Sequence, residues 1–211
     1  MRYSFCQNRD TIAPMANKLS RRTVVALIPV TALTTRAQAP ASVFTDSERK
    51  TLEAFVDRLV PKDELGPGAV ECGAASYIDQ QLAGALAAEK SNFLAGLAAI
   101  DAFAKRTHNR PFAALEISET DAILTAMDTG QAAGFANARA VFSRIRRLTL
   151  EGMFSDPHYG GNANFNGWDL IRYPGPRVAV APEDQSLKPS SKPYRRSAWG
   201  VAEKSGGGHG R

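Results

Sequence analysis

Thr45-Asp46-Ser47-Glu48-Arg49-Lys50-Thr51-Leu52-Glu53-Ala54-Phe55-Val56-Asp57-Arg58-Leu59-Val60-Pro61 reads as one amphipathic helix with both of its ends written into it. Thr45 and Glu48 have the spacing of a capping box, in which the threonine hydroxyl accepts from the Glu48 amide. Leu52, Phe55, Val56 and Leu59 then share one face at three- and four-residue intervals, and Pro61 stops the helix because it has no amide hydrogen to offer. The same period returns down the chain. After the Gly66-Pro67-Gly68 turn, Tyr77, Ile78, Leu82, Ala85 and Leu86 recur at helical spacing, with alanines around them that permit close helix–helix approach. A third helix is expected from Ser91 to Arg106, burying Phe93, Leu94, Leu97, Ile100 and Phe103, and Asn109-Arg110-Pro111 breaks it. Ser118-Glu119-Thr120-Asp121 reads as a fourth N-terminus, with Ile123, Leu124 and Met127 inward. A fifth helix is expected from about Gln131, carrying Phe135, Ala138, Phe142, Ile145 and Leu148 on one stripe. Its other side holds Arg139, Arg144, Arg146 and Arg147, which read as a solvated face with salt bridges. No segment before residue 150 alternates with period two, so the expected fold is all-α. It is a compact bundle of about five helices, followed by a long ordered aromatic loop and a flexible C-terminal tail.

Charge is segregated along the chain. Residues 1–39 carry six Lys/Arg against Asp10, a net of +5, and the tail from Pro182 carries six against three carboxylates, a net of +3. The whole chain is +5, which leaves −3 for the stretch between. A mildly acidic body with basic ends lacks the clustered basic face that phosphate backbones require, so nucleic acid is not the expected partner.

Ser20-Arg21-Arg22-Thr23-Val24-Val25-Ala26-Leu27 gives the first forty residues their meaning. Arg21 and Arg22 precede an uncharged, moderately apolar run from Val24 to Thr35, interrupted by Pro29. The run has signal-peptide length and falls short of the roughly twenty residues that span a bilayer. Weak hydrophobicity behind a twin arginine favours the export route for folded proteins. Ala37, Ala39 and Ala41 suit cleavage after Ala39 or Ala41, with Pro40 opposing the former, and Met15 is a second candidate start. The expected organisation is a leader over 1–41, a helical domain over 42–181 and a tail over 182–211, in a periplasmic protein with no membrane span after processing. Two cysteines, Cys6 and Cys72, make no disulfide framework, and no C-x-x-C-H motif exists to attach a haem. Once a leader holding Cys6 is removed, Cys72 reads as a buried small apolar residue or an intermolecular partner.

Beyond Phe154 the chain is turn-rich yet aromatic: Ser155-Asp156-Pro157-His158-Tyr159-Gly160-Gly161-Asn162-Ala163-Asn164-Phe165-Asn166-Gly167-Trp168-Asp169-Leu170-Ile171-Arg172-Tyr173-Pro174-Gly175-Pro176. Glycines and asparagines supply positive-φ positions, while the aromatic rings argue for order through packing. Connections of this length usually serve a function, and aromatic anchors are typical of binding interfaces. Asn162-x-Asn164-x-Asn166-Gly167 mimics the start of a calcium loop, but Tyr173 stands where the bidentate glutamate belongs. Asp156 and His158 raise the alternative of a free-standing periplasmic enzyme or binding protein. His108 and His209 fall elsewhere, so no metal-ligand cluster is visible, and nucleophile motifs such as G-x-S-x-G are absent.

Met153-Phe154-Ser155-Asp156-Pro157-x-Tyr159-Gly160-Gly161-Asn162, followed by Gly167-Trp168-x-x-Ile171-x-Tyr173-Pro174-Gly175-Pro176, resembles the gluconate 2-dehydrogenase subunit 3 family. Phe44-Thr45 through Leu59-Val60-Pro61, Gly68-Ala69, and Tyr77-Ile78-Asp79-x-x-Leu82-Ala83-Gly84 are similar too, so the resemblance covers about 43–177. It implies the small subunit of a three-part, membrane-associated dehydrogenase acting on gluconate, fructose, glucose or related polyols. In that family an FAD-containing large subunit oxidises the sugar and a multihaem cytochrome c passes electrons to the quinone pool. The small subunit holds no cofactor of its own and helps export the large one through the twin-arginine translocase. The resemblance brings no catalytic, cofactor-binding or metal residues. It implies an interface role, which falls on His158, Tyr159, Trp168, Ile171 and Tyr173. Asn164-Phe165-Asn166 departs from the charged residue expected in that stretch, and the tail from Pro182 has no counterpart. The mobile tail still offers Tyr194 and Trp199 as anchors along a partner.

Overall fold

The structure is a computed structural model that describes residues 42–177, Pro182 and residues 195–200. The twin arginines Arg21 and Arg22, the rest of the leader, Cys6, Tyr194, His209 and most of the tail lie outside the described residues. Among the described residues the secondary structure is helical, with no strand: α1 (Asp46–Leu59), α2 (Ala74–Ala83), α3 (Lys90–His108), α4 (Ile117–Thr129), α5 (Ala138–Phe154) and a short α6 (Asn166–Leu170). None of these helices is long and apolar enough to cross a membrane.

The start of α1 is the expected one. Thr45 Oγ1 accepts from the Glu48 amide at 3.3 Å, and Glu48 Oε2 accepts from the Thr45 amide at 2.8 Å, which satisfies two donors the first turn would leave unpaired. Leu52, Phe55 and Val56 are fully buried. The Phe55 ring lies 6.1 Å from Phe112 and 5.9 Å from Phe142, so α1 sits between the α3–α4 connection and α5. Burial of each such side chain contributes about 1.5–3 kcal/mol. Two ion pairs orient the helix from its rim. Arg58 meets Asp121 of α4 through both carboxylate oxygens at 2.8 Å, and Arg49 meets Asp79 of α2 at 3.2 Å.

The most extensive helix contact is between α2 and α5. It is close because Gly152 faces α2: a Cβ there would stand 2.9 Å from the Ala74 Cα and 3.0 Å from the Tyr77 Cβ. Any larger residue would push the two helices apart. Leu148 and Met153 of α5 and Ile78 and Leu82 of α2 are buried in the core.

Three boundaries differ from the periodicity. The stripe beginning at Gln131 is not yet helix, and α5 starts at Ala138. Gly134 and Asn137 hold positive φ (73° and 60°), which a right-handed helix does not tolerate, and Arg106 Nη2 donates to the Ala133 carbonyl across this turn. Phe135 is nonetheless buried, 6.0 Å from Phe103. The fourth helix begins one residue before Ser118, at Ile117. Its preceding residue, Glu116, donates its amide to Glu119 Oε2 at 2.9 Å. The second stops at Ala83, ahead of Gly84, so Ala85 and Leu86 follow it in a turn. Two of the four arginines on that side of α5 take the expected pairing: Arg144 bonds to Glu89, and Arg147 lies 3.7 Å from Glu151.

Candidate partner interface

The loop after α5 is folded onto the end of the helix that launches it. Asn162 organises it. The residue is completely buried, at φ 45°, a left-handed conformation that asparagine accepts more readily than most residues. Its amide donates to the Gly152 carbonyl at 2.7 Å, so the loop continues the hydrogen bonding of α5. Its side-chain Nδ2 donates to the Ser155 carbonyl at 3.0 Å. Its Oδ1 accepts from the Gly167 amide at 2.9 Å and, more weakly, from Trp168 at 3.4 Å. One side chain thereby joins the end of α5 to the first turn of α6. The next amide, of Ala163, donates to the Cys72 carbonyl at 2.9 Å, and Asn166 Nδ2 donates to the Glu71 carbonyl at 3.2 Å. These two bonds tie the loop to the segment entering α2.

Gly167 is needed for this closure, since a Cβ there would overlap the Met153 carbonyl oxygen. Phe165 and Arg172 also adopt left-handed backbone, at φ 61° and 54°. That conformation is unfavourable for a large side chain by about 1–2 kcal/mol, and for Phe165 it is offset by burial of the ring against Trp168, with centroids 5.4 Å apart.

The expected interface residues divide between inside and outside. Trp168 is 6% exposed; its indole Nε1 donates to the Phe154 carbonyl at 2.9 Å, and its ring meets Tyr173 edge-on at 4.9 Å. The ring is therefore part of the loop's own small core. Tyr159, Ile171 and Tyr173 face outward, at 42%, 54% and 39% exposure. His158 presents its ring between two others, edge-on to Tyr159 at 5.3 Å and stacked on Trp199 at 5.2 Å. The turn before α2 adds exposed Leu65 and Val70, and this turn touches the loop where Gly66 approaches Leu170.

Asp156 does not form an acid–base couple with the His158 imidazole. Its carboxylate accepts from the His158 backbone amide at 2.9 Å, from Ser197 Oγ at 2.6 Å and from the Ala198 amide at 2.8 Å. Burial works against the charged form. The bonds from Ser197, His158 and Ala198, with the nearby imidazole, outweigh it and hold the carboxyl below the usual carboxylate range. The asparagines that mimic a calcium loop are likewise committed to backbone partners at Asn162 and Asn166. Among the described residues no three His, Cys, Asp or Glu side chains gather in a way that could hold a metal. Cys72 lies at zero exposure beneath the loop, and burial pushes its thiol up to about 11. A separate groove of about 620 Å³ runs between α3 and α5, lined by small residues such as Gly96, Ala99 and Ala140, with Arg144 and Glu89 among its walls.

Asn162 could have been singled out from its neighbours, because an asparagine following Gly160-Gly161 invites a left-handed turn. The acceptors it serves, the carbonyls of Gly152 and Ser155, become available only once α5 ends at Phe154.

The helical domain thus carries, on the loop after α5, an outward-facing group of side chains made of Tyr159, Ile171 and Tyr173. Residues 46–175 match the family of gluconate 2-dehydrogenase subunit 3, and the chain belongs to that family, the accessory subunits of dehydrogenase complexes. No curated protein and no solved structure matches it.

Proposed function

We propose that this chain is the non-catalytic small subunit of a membrane-associated, FAD-dependent dehydrogenase of gluconate, fructose, glucose or a related polyol. In this reading its twin arginines, Arg21 and Arg22, carry the folded flavoprotein subunit through the twin-arginine translocase, and the chain remains with it in the periplasm. FAD belongs to the large subunit and haem c to a cytochrome partner. The logic is physical. A flavin inserted in the cytoplasm survives export only if its protein crosses folded, so the subunit supplying the address must bind before translocation through a preformed surface. The family match over residues 46–175 carries the proposal. The exposed Tyr159, Ile171 and Tyr173, on a loop closed by the Asn162 hydrogen bonds, support where the contact falls. The commitment of Asp156 to backbone and tail donors weighs against a chemical role for the loop.

The test is an affinity pull-down of this chain from the periplasm and membranes of its native host, with mass spectrometry and flavin absorbance on the eluate. Stoichiometric recovery of an FAD-containing dehydrogenase is the expected result. Recovery of the chain alone under gentle conditions would refute the proposal. In the same host, Arg21→Lys with Arg22→Lys leaves the flavoprotein in the cytoplasm if the leader is its only address.

A further inference from the structure

Six residues of the tail, Arg195-Arg196-Ser197-Ala198-Trp199-Gly200, return to the interface loop, and their contacts have the character of a seated peptide. Ser197 is 1% exposed. Its hydroxyl donates to Asp156 Oδ1 at 2.6 Å and accepts from the Trp199 amide at 3.0 Å, while the Ala198 amide donates to Asp156 Oδ2 at 2.8 Å. Arg195 pairs with Asp169 of α6, and the Trp199 ring stacks on His158 at an interplanar angle of 27°. A basic, a hydroxyl and an aromatic side chain thus meet an acid, a second acid and an imidazole. These partners lie 26 to 42 residues away in sequence.

The position matters as much as the contacts. The segment lies against His158, beside Tyr159 and on the flank of α6, which is one side of the surface proposed for the flavoprotein. Trp199 itself remains 63% exposed, so the contact covers part of the loop without burying its own ring. A segment tethered to its own seat acts at an effective concentration of about millimolar, so contacts too weak to hold a free peptide suffice to keep the seat occupied. We infer that residues 195–200 form a strap that occupies the His158–Asp156–Asp169 side of the interface in the free chain and is displaced when the flavoprotein docks. The inference rests on the small-subunit reading for the identity of that partner, but the strap contact itself does not. A strap of this kind lowers the apparent affinity by the fraction of chains in which the seat is free. Its charged half, Arg195 with Asp169, weakens with salt.

The experiment compares the full chain with its Arg195→Gln/Ser197→Ala variant, neither substitution touching the helical core. Amide exchange at Ala198 and the indole resonance of Trp199 are followed by NMR in the free chain. Binding to the FAD-containing subunit co-purified from the host is followed by biolayer interferometry. The variant is expected to lose protection at Ala198, to shift the Trp199 indole, and to bind the flavoprotein about three- to tenfold tighter, mainly through faster association. Unchanged protection at Ala198 overturns the strap. A released strap with unchanged or weaker binding overturns the competition and makes the segment neutral or part of the interface. If the wild-type chain and the variant both fail to bind any flavoprotein while the NMR changes occur, the small-subunit reading falls, and with it the displacement, but the contact in the free chain stands.

Discussion

Replacing Asn162 by alanine removes the side chain that closes the interface loop, and the structure sets the size of the effect. Two good hydrogen bonds, at 3.0 and 2.9 Å, and one long one at 3.4 Å disappear. The site is fully buried, so water does not replace them without rearrangement. At about 1 kcal/mol for each good bond, with some addition for the stranded Gly167 amide and Ser155 carbonyl, the loss is about 2–3 kcal/mol. Alanine at φ 45° adds about 1 kcal/mol more relative to asparagine, for a total of about 3–4 kcal/mol. That is a large share of a domain's usual 5–15 kcal/mol. The companion variant is Asn162→Gly, which loses the same bonds but accepts the left-handed backbone, and it is expected to recover about 1 kcal/mol of the loss. Urea unfolding followed by tryptophan fluorescence and far-UV circular dichroism measures both. The alanine variant is expected to melt roughly 10 °C lower. A loss below about 1 kcal/mol for alanine would refute the role of Asn162 as the buried closure. Equal values for alanine and glycine would remove the backbone part of the reasoning.

Three further outcomes are expected. Gly167→Ala drives a methyl into the Met153 carbonyl, so it destabilises the loop by about 2 kcal/mol or more, visible as lost protection of the Trp168 amide in hydrogen exchange; unchanged protection would show that the loop has room. Trp168→Ala acts on folding before it acts on binding: loss of the buried ring costs about 3–5 kcal/mol of stability, and a variant as stable as wild type would place the ring outside the core. At alkaline pH, burial raises the Cys72 thiol from 9.0 to about 11. Burial and Glu151, which accepts from its hydroxyl at 3.2 Å, push the Tyr77 phenol from 10.0 to about 12. Both groups hold their proton more tightly folded than unfolded, so their contribution is complete below pH 9 and falls as pH rises toward 11 and 12. The urea midpoint should therefore decline from pH 9 upward, less steeply in Cys72→Ala, and a flat profile would contradict the burial of both groups.

How much of this was readable beforehand differs by element. Helix α1 was legible end to end, because its cap, apolar face and terminating proline are local and agree with one another. At 131–137 the same apolar spacing misled, since periodicity reports which side chains are buried and says little about the backbone that carries them. Phe135 is buried as the stripe required, yet Gly134 and Asn137 bend the chain out of the helix. In the loop, order was foreseeable from the aromatic residues, but their division into inner and outer was not. Trp168 turns inward because a carbonyl at the end of α5 can accept from its indole, and that acceptor exists only in three dimensions. The contact of Ser197 with Asp156 was hidden for the same reason: it joins residues 41 apart through chemistry that neither segment displays alone.

The loop's bonds also fall into two ranges of sequence separation. Asn162 reaches Ser155 and Gly167 over seven and five residues, so these contacts can form as soon as α5 has wound. The bonds from Ala163 to Cys72 and from Asn166 to Glu71, the latter spanning 95 residues, depend on α2 lying against α5 at Gly152. Closing so long a stretch costs more chain entropy than closing the local ones. The aromatic face in its complete form therefore depends on the segment entering α2 being in place against α5. A partner that recognises this face discriminates, by shape alone, a finished subunit from an unfinished one.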